Sequence, residues 1–175
     1  KAHAHGFKSG QWVEKLEDLD SALRKFLAKT PKQVGVLLTA DHGIVDVHTA
    51  NHIYLDEIEI DGLTTVGGDP RVLFVYLDSG NIEAQKGIIQ DHCGTRAYVA
   101  ERAELVEAGW FGTVEQFALD RMPELFVIAI GEVALYHRKF AKTKSMQMVG
   151  QHGSVSSDEL NVPLLRFAGF SQAAS

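Results

Sequence analysis

Residues 34–43 have the sequence VGVLLTADHG, an apolar run that ends in an aspartate, a histidine and a glycine. A proline-containing link precedes the run and Gly43 closes it, which is typical of a strand buried on both faces that ends in a sharp turn. Asp41 and His42 carry two good ligands for a divalent metal ion, and Gly43 would let the backbone approach a bound group closely. The same tripeptide also occurs as a local turn beside a hydrogen-bonded histidine, so by itself it does not establish a metal site.

The composition of the 175-residue chain indicates a soluble globular protein. With 45% hydrophobic residues it can bury the core of one domain, or of one domain with an insert. A net charge of -6 argues against binding to nucleic-acid duplexes or to membrane surfaces, because that binding needs clustered lysines and arginines. No apolar run approaches the roughly 20 residues that span a bilayer, and no signal-peptide pattern opens the chain. The single cysteine, Cys93, excludes an internal disulfide and is expected to be a small buried thiol, which favours a cytoplasmic location.

The N-terminal residues place histidines before any core element. His3 and His5 lie in the opening sequence KAHAHG, which begins with lysine, and we therefore expect a chain cut within a functional loop, with its front half missing. Ser9 is a predicted N-cap, because apolar residues follow it at three- and four-residue intervals up to Thr30. A helix followed by the strand at residues 34–38 is a unit of a parallel α/β layer, so the first histidines are expected on a loop at an edge of the sheet.

The middle of the chain, residues 52–143, is predicted to form an α+β cap subdomain inserted between core segments at residues 1–51 and 144–175. A hairpin turn is predicted at residues 61–62, and the two glycines at residues 67–68 are expected to end a strand. Further strands are predicted at residues 72–77, 96–100, 125–130 and 133–136, with helices at 81–91, at 102–107 and from 113, the first of them capped by Ser79.

Three side chains of the cap are candidates for substrate contact, namely Trp110, Phe111 and Arg121. Core and surface positions explain them equally well. His48 and His52 would have the spacing of metal ligands only in a helix, which the residues between them do not favour, and both are interpreted as surface residues.

The last stretch contains another histidine in a glycine-rich turn, His152 in the sequence VGQHGS. Glycines on both sides indicate an open backbone around the imidazole rather than a packed core. A polar segment follows, and residues 162–167 are predicted to form a final strand with Pro163 near its start. His3, His42 and His152 would then lie on three turns that flank α/β elements, a combination that is rare by chance.

These segments together resemble the C-terminal half of the alkaline phosphatase superfamily, in particular the nucleotide pyrophosphatase and type I phosphodiesterase family. The resemblance is carried by TADHG at residues 39–43, QHGS at 151–154, DELNVPLL at 158–165 and HAHGFKSGQW at 3–12. It implies an α/β fold with an alkaline-phosphatase-like core, in which helices flank a mostly parallel sheet and the α+β cap is inserted.

The resemblance also implies two zinc ions, one bound by Asp41 and His42 and the other by His3 and His152. The nucleophilic Thr or Ser of the family, and two further Asp ligands, would lie upstream of this chain or at its start. The complete protein would hydrolyse a small phosphodiester or nucleotide through a covalent intermediate. Its missing N-terminal half is the expected partner, and this chain alone is expected to be inactive.

Two alternatives remain open at the level of sequence. Within the superfamily, the chain could come from a phosphomutase or a sulfatase, because TADHG also resembles the mutase branch. As a non-enzymatic alternative, the cap could be a binding or homo-oligomerisation module, and the metal loops of the chain would then be vestigial. The identity of the nucleophile would distinguish a phosphomutase or a sulfatase from a phosphodiesterase. The zinc content of the complete protein would distinguish a non-catalytic module from an enzyme.

Overall fold

The computed structural model describes residues 1–171, so the last four residues of the predicted C-terminal segment 144–175 lie outside the described part of the chain. The helices are α1 (Ala2–His5), α2 (Gly10–Leu27), α3 (Ile82–Cys93), α4 (Arg102–Glu107), α5 (Gln116–Leu119), α6 (Thr143–Met146) and α7 (Ser157–Leu160). The strands are β1 (Gly35–Thr39), β2 (Val45–Asp46), β3 (His52–Tyr54), β4 (Leu63–Asp69), β5 (Val72–Leu77), β6 (Ala97–Glu101), β7 (Leu125–Ala129), β8 (Ala134–Tyr136), β9 (Gly150–Gln151) and β10 (Leu164–Ala168). Among these helices, none is long and apolar enough to cross a membrane.

The first long helix, α2, begins where the sequence predicts. The Ser9 side chain accepts a hydrogen bond from the backbone N–H of Trp12, which confirms the predicted N-cap. The apolar face of α2 is not covered, however, since the helix has no buried residue and Leu16 and Phe26 are 50% and 57% exposed.

The strand that follows α2 is paired differently from the prediction. β1 pairs antiparallel with β10, with Gly35 opposite Ala168, so the predicted parallel pairing of residues 34–38 is wrong. The expected burial on both faces is also wrong, because Leu37 is 54% exposed. Within the described residues β10 is the only strand hydrogen-bonded to β1. Leu164 and Leu165 of β10 are exposed as well, by 56% and 47%.

The middle of the chain forms an antiparallel sheet with the strand order β4-β5-β7-β6. The two glycines expected to end a strand lie within β4, and the hairpin turn falls at residues 70–71 between β4 and β5. The hairpin predicted at residues 61–62 is therefore wrong, because β3 pairs in parallel with β8 instead. Helix α4 has the predicted bounds, whereas α5 begins at Gln116 rather than Thr113.

The main core lies between this sheet and α3. Fully buried side chains of the core include Val75, Ile89, Leu125 and Val127. Asn81, rather than the predicted Ser79, caps α3 by accepting a hydrogen bond from the N–H of Ala84. At the other end of α3 Cys93 is buried, as predicted, and burial raises the pKa of its thiol to about 11.

The four-stranded sheet lies wholly within residues 52–143, but a smaller apolar cluster crosses the proposed boundary. In that cluster Val45 and Val47 pack with Ala134 and Tyr136. The division into a core and an inserted cap stays a prediction.

Candidate metal centre

The pairing of two very short strands brings two of the predicted ligands together. β2 and β9 are antiparallel, with Val45 opposite Gln151, so the residues just before β2 lie beside the residues just after β9. His42 precedes β2 and His152 follows β9. Their rings are stacked, with centroids 3.5 Å apart.

The third histidine, His3, lies in helix α1, so the prediction that the first histidines lie on a loop is wrong. It reaches the same place because α1 packs directly on β9. The backbone N–H of Val149 donates to the carbonyl oxygen of His3 over 2.8 Å. Glycine is required at position 150, since a Cβ there would lie 2.6 Å from the carbonyl oxygen of Ala2. The turn after α1 is held on β2 by Asp46, whose Oδ1 accepts a hydrogen bond of 2.8 Å from the N–H of Phe7.

His3, His42 and His152 form a cluster with the geometry of a metal centre. Each offers one ring nitrogen, and these nitrogens all lie within 4.8 Å of one another. The ring of His3 lies 6.2 Å from that of His42 and 5.3 Å from that of His152. All three side chains are partly buried, so the cluster is accessible from solvent yet fixed by its surroundings.

Backbone carbonyl groups orient two of the three rings. Nδ1 of His3 lies 2.9 Å from the oxygen of Gly150, and Nδ1 of His42 lies 2.7 Å from the oxygen of Gly43. A carbonyl oxygen can only accept, so each Nδ1 carries a proton, and Nε2 is the atom left to bind a metal. Histidines that bind metals commonly donate their other ring N–H in this way, and the donor set therefore fits a divalent ion such as zinc.

The fourth predicted ligand, Asp41, lies at the rim of this cluster. Its side chain is 89% exposed, and Oδ2 lies 3.7 Å from Nε2 of His42. Oδ1 accepts a hydrogen bond from the N–H of His42. Asp41 is not one of the three residues whose ligand atoms come within 4.8 Å of one another, but its carboxylate faces the free nitrogen of His42.

The surroundings of His152 favour its neutral form. Burial lowers its pKa, and the neighbouring rings of His42 and His3 lower it further, against the opposite effect of the carboxylates of Asp69 and Asp41. The neutral imidazole is the form that binds a metal. Sequence reasoning missed Asp69, which lies at the end of β4, because nothing in its local sequence distinguishes it from an ordinary turn residue.

A buried ion pair fixes the segment after His152. Arg71 and Glu159 are both buried, and Nε and Nη2 of Arg71 each donate to a carboxylate oxygen of Glu159 over 2.9 Å. Glu159 also accepts hydrogen bonds from the backbone N–H of Ser154 and the hydroxyl of Ser156. Sequence analysis did not identify this pair, which joins the turn of His152 to the four-stranded sheet.

The glycine of the Asp-His-Gly turn serves the packing of the backbone. A Cβ at Gly43 would lie 1.9 Å from the carbonyl oxygen of Asp158, and the N–H of Gly43 donates to the carbonyl oxygen of Glu159 over 2.8 Å. The sequence analysis expected Gly43 to make room for a bound group. The contact of the turn with α7 explains the need for glycine instead.

The other candidate residues lie apart from the histidine cluster. Trp110 and Phe111 are 47% and 42% exposed, and Phe111 borders a separate cavity beside the four-stranded sheet together with Arg121. His48 is exposed, as expected. His52 is not a surface residue, since it is partly buried with its ring 4.8 Å from that of Tyr136.

The family model of the type I phosphodiesterases / nucleotide pyrophosphatases matches residues 1–155. The chain belongs to this family. No curated protein matches the sequence. The family assignment made from the sequence motifs is confirmed.

Solved structures share the fold of this phosphodiesterase-family chain. Human ectonucleotide pyrophosphatase / phosphodiesterase 5 superposes with a TM-score of 0.75 at 17% identity, over 99% of this chain and 47% of its own. An inactive variant of the murine protein in complex with AMP gives 0.72 at 17% identity, over 93% and 43%. Phosphonoacetate hydrolase from Sinorhizobium meliloti gives 0.66 at 18% identity, over 94% and 42%. The predicted α/β, alkaline-phosphatase-like fold class is thereby confirmed, and the chain spans less than half the length of these relatives.

Proposed function

We propose that this chain provides part of the active site of a metal-dependent phosphodiesterase or nucleotide pyrophosphatase. The observation that carries the proposal is the convergence of three imidazoles from segments far apart in the sequence, whose ligand atoms lie within 4.8 Å of one another. Structural histidines do not need this arrangement, whereas a metal site does. The family membership supports the same reaction class.

The four candidate ligands suit two neighbouring zinc ions. Asp41 and His42 would hold one ion, since the facing atoms of their side chains are 3.7 Å apart. His3 and His152 would hold the other, since their ring centroids lie 5.3 Å apart. Such ions supply charge stabilisation for the phosphoryl oxygens and lower the pKa of a nucleophile. The residues of this chain would position them.

The site needs ligands that these residues do not supply. A catalytic zinc ion usually has three protein ligands. With two ligands per ion from this chain, each ion would lack one protein ligand. We infer that the remaining carboxylates and a Thr or Ser nucleophile, which would form the covalent intermediate, come from an additional N-terminal half of the protein. The exposed apolar side chains of α2, β1 and β10 support this, because a soluble protein rarely leaves such a surface uncovered.

The substrate class that fits best is a nucleotide or another small phosphodiester. A murine relative with the same fold has been solved with AMP, which favours a nucleotide. A phosphomutase or sulfatase activity, or a non-catalytic oligomerisation module, remains a competing proposal with no specific observation of its own. The identity of the nucleophile decides between the enzymes of the superfamily.

The test is to replace ligands in the complete protein and to measure zinc content together with hydrolysis of a chromogenic phosphodiester. His152→Ala and His42→Ala should each lower kcat by orders of magnitude and reduce bound zinc, with far-UV circular dichroism unchanged, since ligands hold the ions but not the core. His48→Ala is the matched control, because His48 is an exposed histidine outside the cluster. It should keep both activity and zinc.

Near-normal turnover and zinc content in both ligand variants would refute the assignment. We also expect residues 1–175 alone to be inactive even with added zinc, since the four candidate ligands give two per ion and we assign no nucleophile among the described residues 1–171. A monomeric 175-residue chain that hydrolyses phosphodiesters would show instead that no further segment is required.

A further inference from the structure

Helix α7 holds the turn that carries His42 through its backbone. The N–H of Gly43 donates to the carbonyl oxygen of Glu159 over 2.8 Å, one residue after His42. The next N–H along the chain, that of Ile44, donates to the carbonyl oxygen of Asp158 over 3.0 Å. These two hydrogen bonds, together with the close approach of the two backbones at Gly43, set the distance between the turn of His42 and α7.

The side chain of the same glutamate holds the turn that carries His152. Oε1 of Glu159 accepts a buried hydrogen bond of 3.0 Å from the backbone N–H of Ser154, two positions after His152. The hydroxyl of Ser154 donates in turn to the carbonyl oxygen of Ala129, which joins this turn to β7. Between the histidine and the serine lies only Gly153, whose φ of +122° is rarely adopted by other residues, so the turn depends on these contacts of Ser154 for its position.

Four donors fix the orientation of the Glu159 carboxylate. Nε and Nη2 of Arg71 each donate to one of its oxygens, and the N–H of Ser154 and the hydroxyl of Ser156 supply the other two hydrogen bonds. The remaining nitrogen of the guanidinium, Nη1, donates to two backbone carbonyl oxygens just before β8. The carboxylate is only 1% exposed, so its side chain acts as a rigid spacer between α7 and the turn of His152.

We propose that Glu159 is a positioning residue of the metal centre, because it sets the spacing between the turns of His42 and His152. Its carbonyl oxygen holds the first turn, its carboxylate holds the second, and Arg71 keeps the carboxylate in place. The rings of the two histidines are stacked with centroids 3.5 Å apart, and a small shift of either turn would change that spacing. The inference rests on the proposed metal-dependent function, but the spacing of the rings can also be measured without a metal.

The test compares two double variants of the complete protein, Arg71→Met with Glu159→Gln and Arg71→Met with Glu159→Met. Both remove the buried charges together, an exchange that is often neutral for stability. Only the version with Glu159→Gln keeps a side-chain oxygen that can accept from the N–H of Ser154. The zinc dissociation constant should rise about tenfold or more in the version with Glu159→Met, as for other groups that orient metal ligands, and stay within about threefold of wild type in the other version.

The chain offers a matched control in another pair of an arginine and a glutamate. Nη1 of Arg102 lies 3.5 Å from Oε1 of Glu124, and Oε2 of Glu124 accepts a hydrogen bond of 2.8 Å from the backbone N–H of Leu77. Arg102→Met with Glu124→Met makes the same exchange at a pair that contacts neither ligand-bearing turn. It should leave the zinc dissociation constant within about twofold of the wild-type value.

A readout in the metal-free protein separates this inference from the proposed function. Stacked rings displace each other's proton resonances, so the Hε1 resonances of His42 and His152 report the spacing of the two turns. Both resonances should move toward the values of isolated histidine in the version with Glu159→Met. They should stay at their wild-type positions in the version with Glu159→Gln and in the control.

Equal zinc dissociation constants in the two Glu159 double variants, or an equal loss of affinity in the control, would overturn the positioning role. If the wild-type protein binds no zinc, the proposed function is wrong, and unchanged Hε1 resonances in the version with Glu159→Met would then overturn the inference on their own. If that version does not fold by far-UV circular dichroism, Ser156→Ala takes its place, since it keeps the ion pair and removes one hydrogen bond of the carboxylate. Ser156→Ala should weaken zinc binding and move the same resonances, and a variant that changes neither would overturn the inference.

Discussion

The buried ion pair of Arg71 and Glu159 makes a quantitative prediction about stability. Glu159→Gln keeps the shape of the side chain but removes its charge, and it leaves the guanidinium of Arg71, which is 0% exposed, without a counter-ion. The two hydrogen bonds of 2.9 Å between the side chains would be disturbed, together with those from Ser154 and Ser156. Arg71 could still donate to the carbonyl oxygens of Gly131 and Val133 and to the one amide oxygen of the new Gln side chain, but none of these acceptors carries a charge.

Removing one partner of a buried pair costs about 3–5 kcal/mol, because the remaining charge stays buried and uncompensated. With a urea m-value of about 2 kcal/mol per molar, the midpoint of unfolding should fall by about 2 M. Breaking the exposed pair of Arg24 and Asp20, whose side chains are 80% and 57% exposed, should cost well under 1 kcal/mol. Arg24→Ala is therefore the control.

The pH dependence provides a second readout. Burial raises the pKa of Glu159, but the hydrogen bonds from Arg71, Ser156 and Ser154 outweigh it, and the net pKa in the folded protein is lowered from the ordinary 4.5. A depressed pKa contributes stability that is fully present above 4.5 and is lost as the pH falls through the folded-state value. The difference in stability between wild type and Glu159→Gln should accordingly shrink in acid.

Urea unfolding followed by circular dichroism at pH 7 and at several acidic pH values measures both effects. The reasoning would be refuted by a loss below 1 kcal/mol at pH 7, or by a difference from wild type that stays constant into acid. An equally large loss of unfolding free energy in the Arg24→Ala control would show that burial of the ion pair does not determine its contribution to stability.

Two further predictions concern packing. Gly43→Ala should destabilise the protein by about 1–3 kcal/mol, since its Cβ would lie 1.9 Å from a backbone oxygen of α7. Gly87→Ala, in the middle of α3, has nothing within 4 Å of its Cβ and should stabilise the protein by about 0.5–1 kcal/mol. Thermal unfolding of both variants checks that the two changes in stability have opposite signs. Cys93, whose pKa burial raises to about 11, should react with a thiol reagent at pH 8 only at the rate of unfolding, and fast labelling of the native protein would contradict its burial.

Some features of the protein follow from the sequence because they depend on neighbouring residues. The cap of α2 by Ser9 needs only an oxygen three positions before the N–H of Trp12. The histidines on glycine-rich turns, His42 and His152, can be recognised for the same reason, because an imidazole in an open turn is a local pattern. Their motifs are also sufficient to assign the family, which the match over residues 1–155 confirms.

Other features were decided only by the tertiary structure. Arg71 and Glu159 are 88 positions apart, and nothing in either local sequence indicates that the two will meet. β1 was expected to pair in parallel, but its partner β10 arrives from the far end of the chain and runs antiparallel. Asp69 likewise lies beside the turn of His152 only because the end of β4 packs against a segment that follows much later in the chain. Strand partners and buried ion pairs are set by which distant surfaces are complementary once the core has packed, and that information is spread over the whole chain rather than carried by any one segment of it.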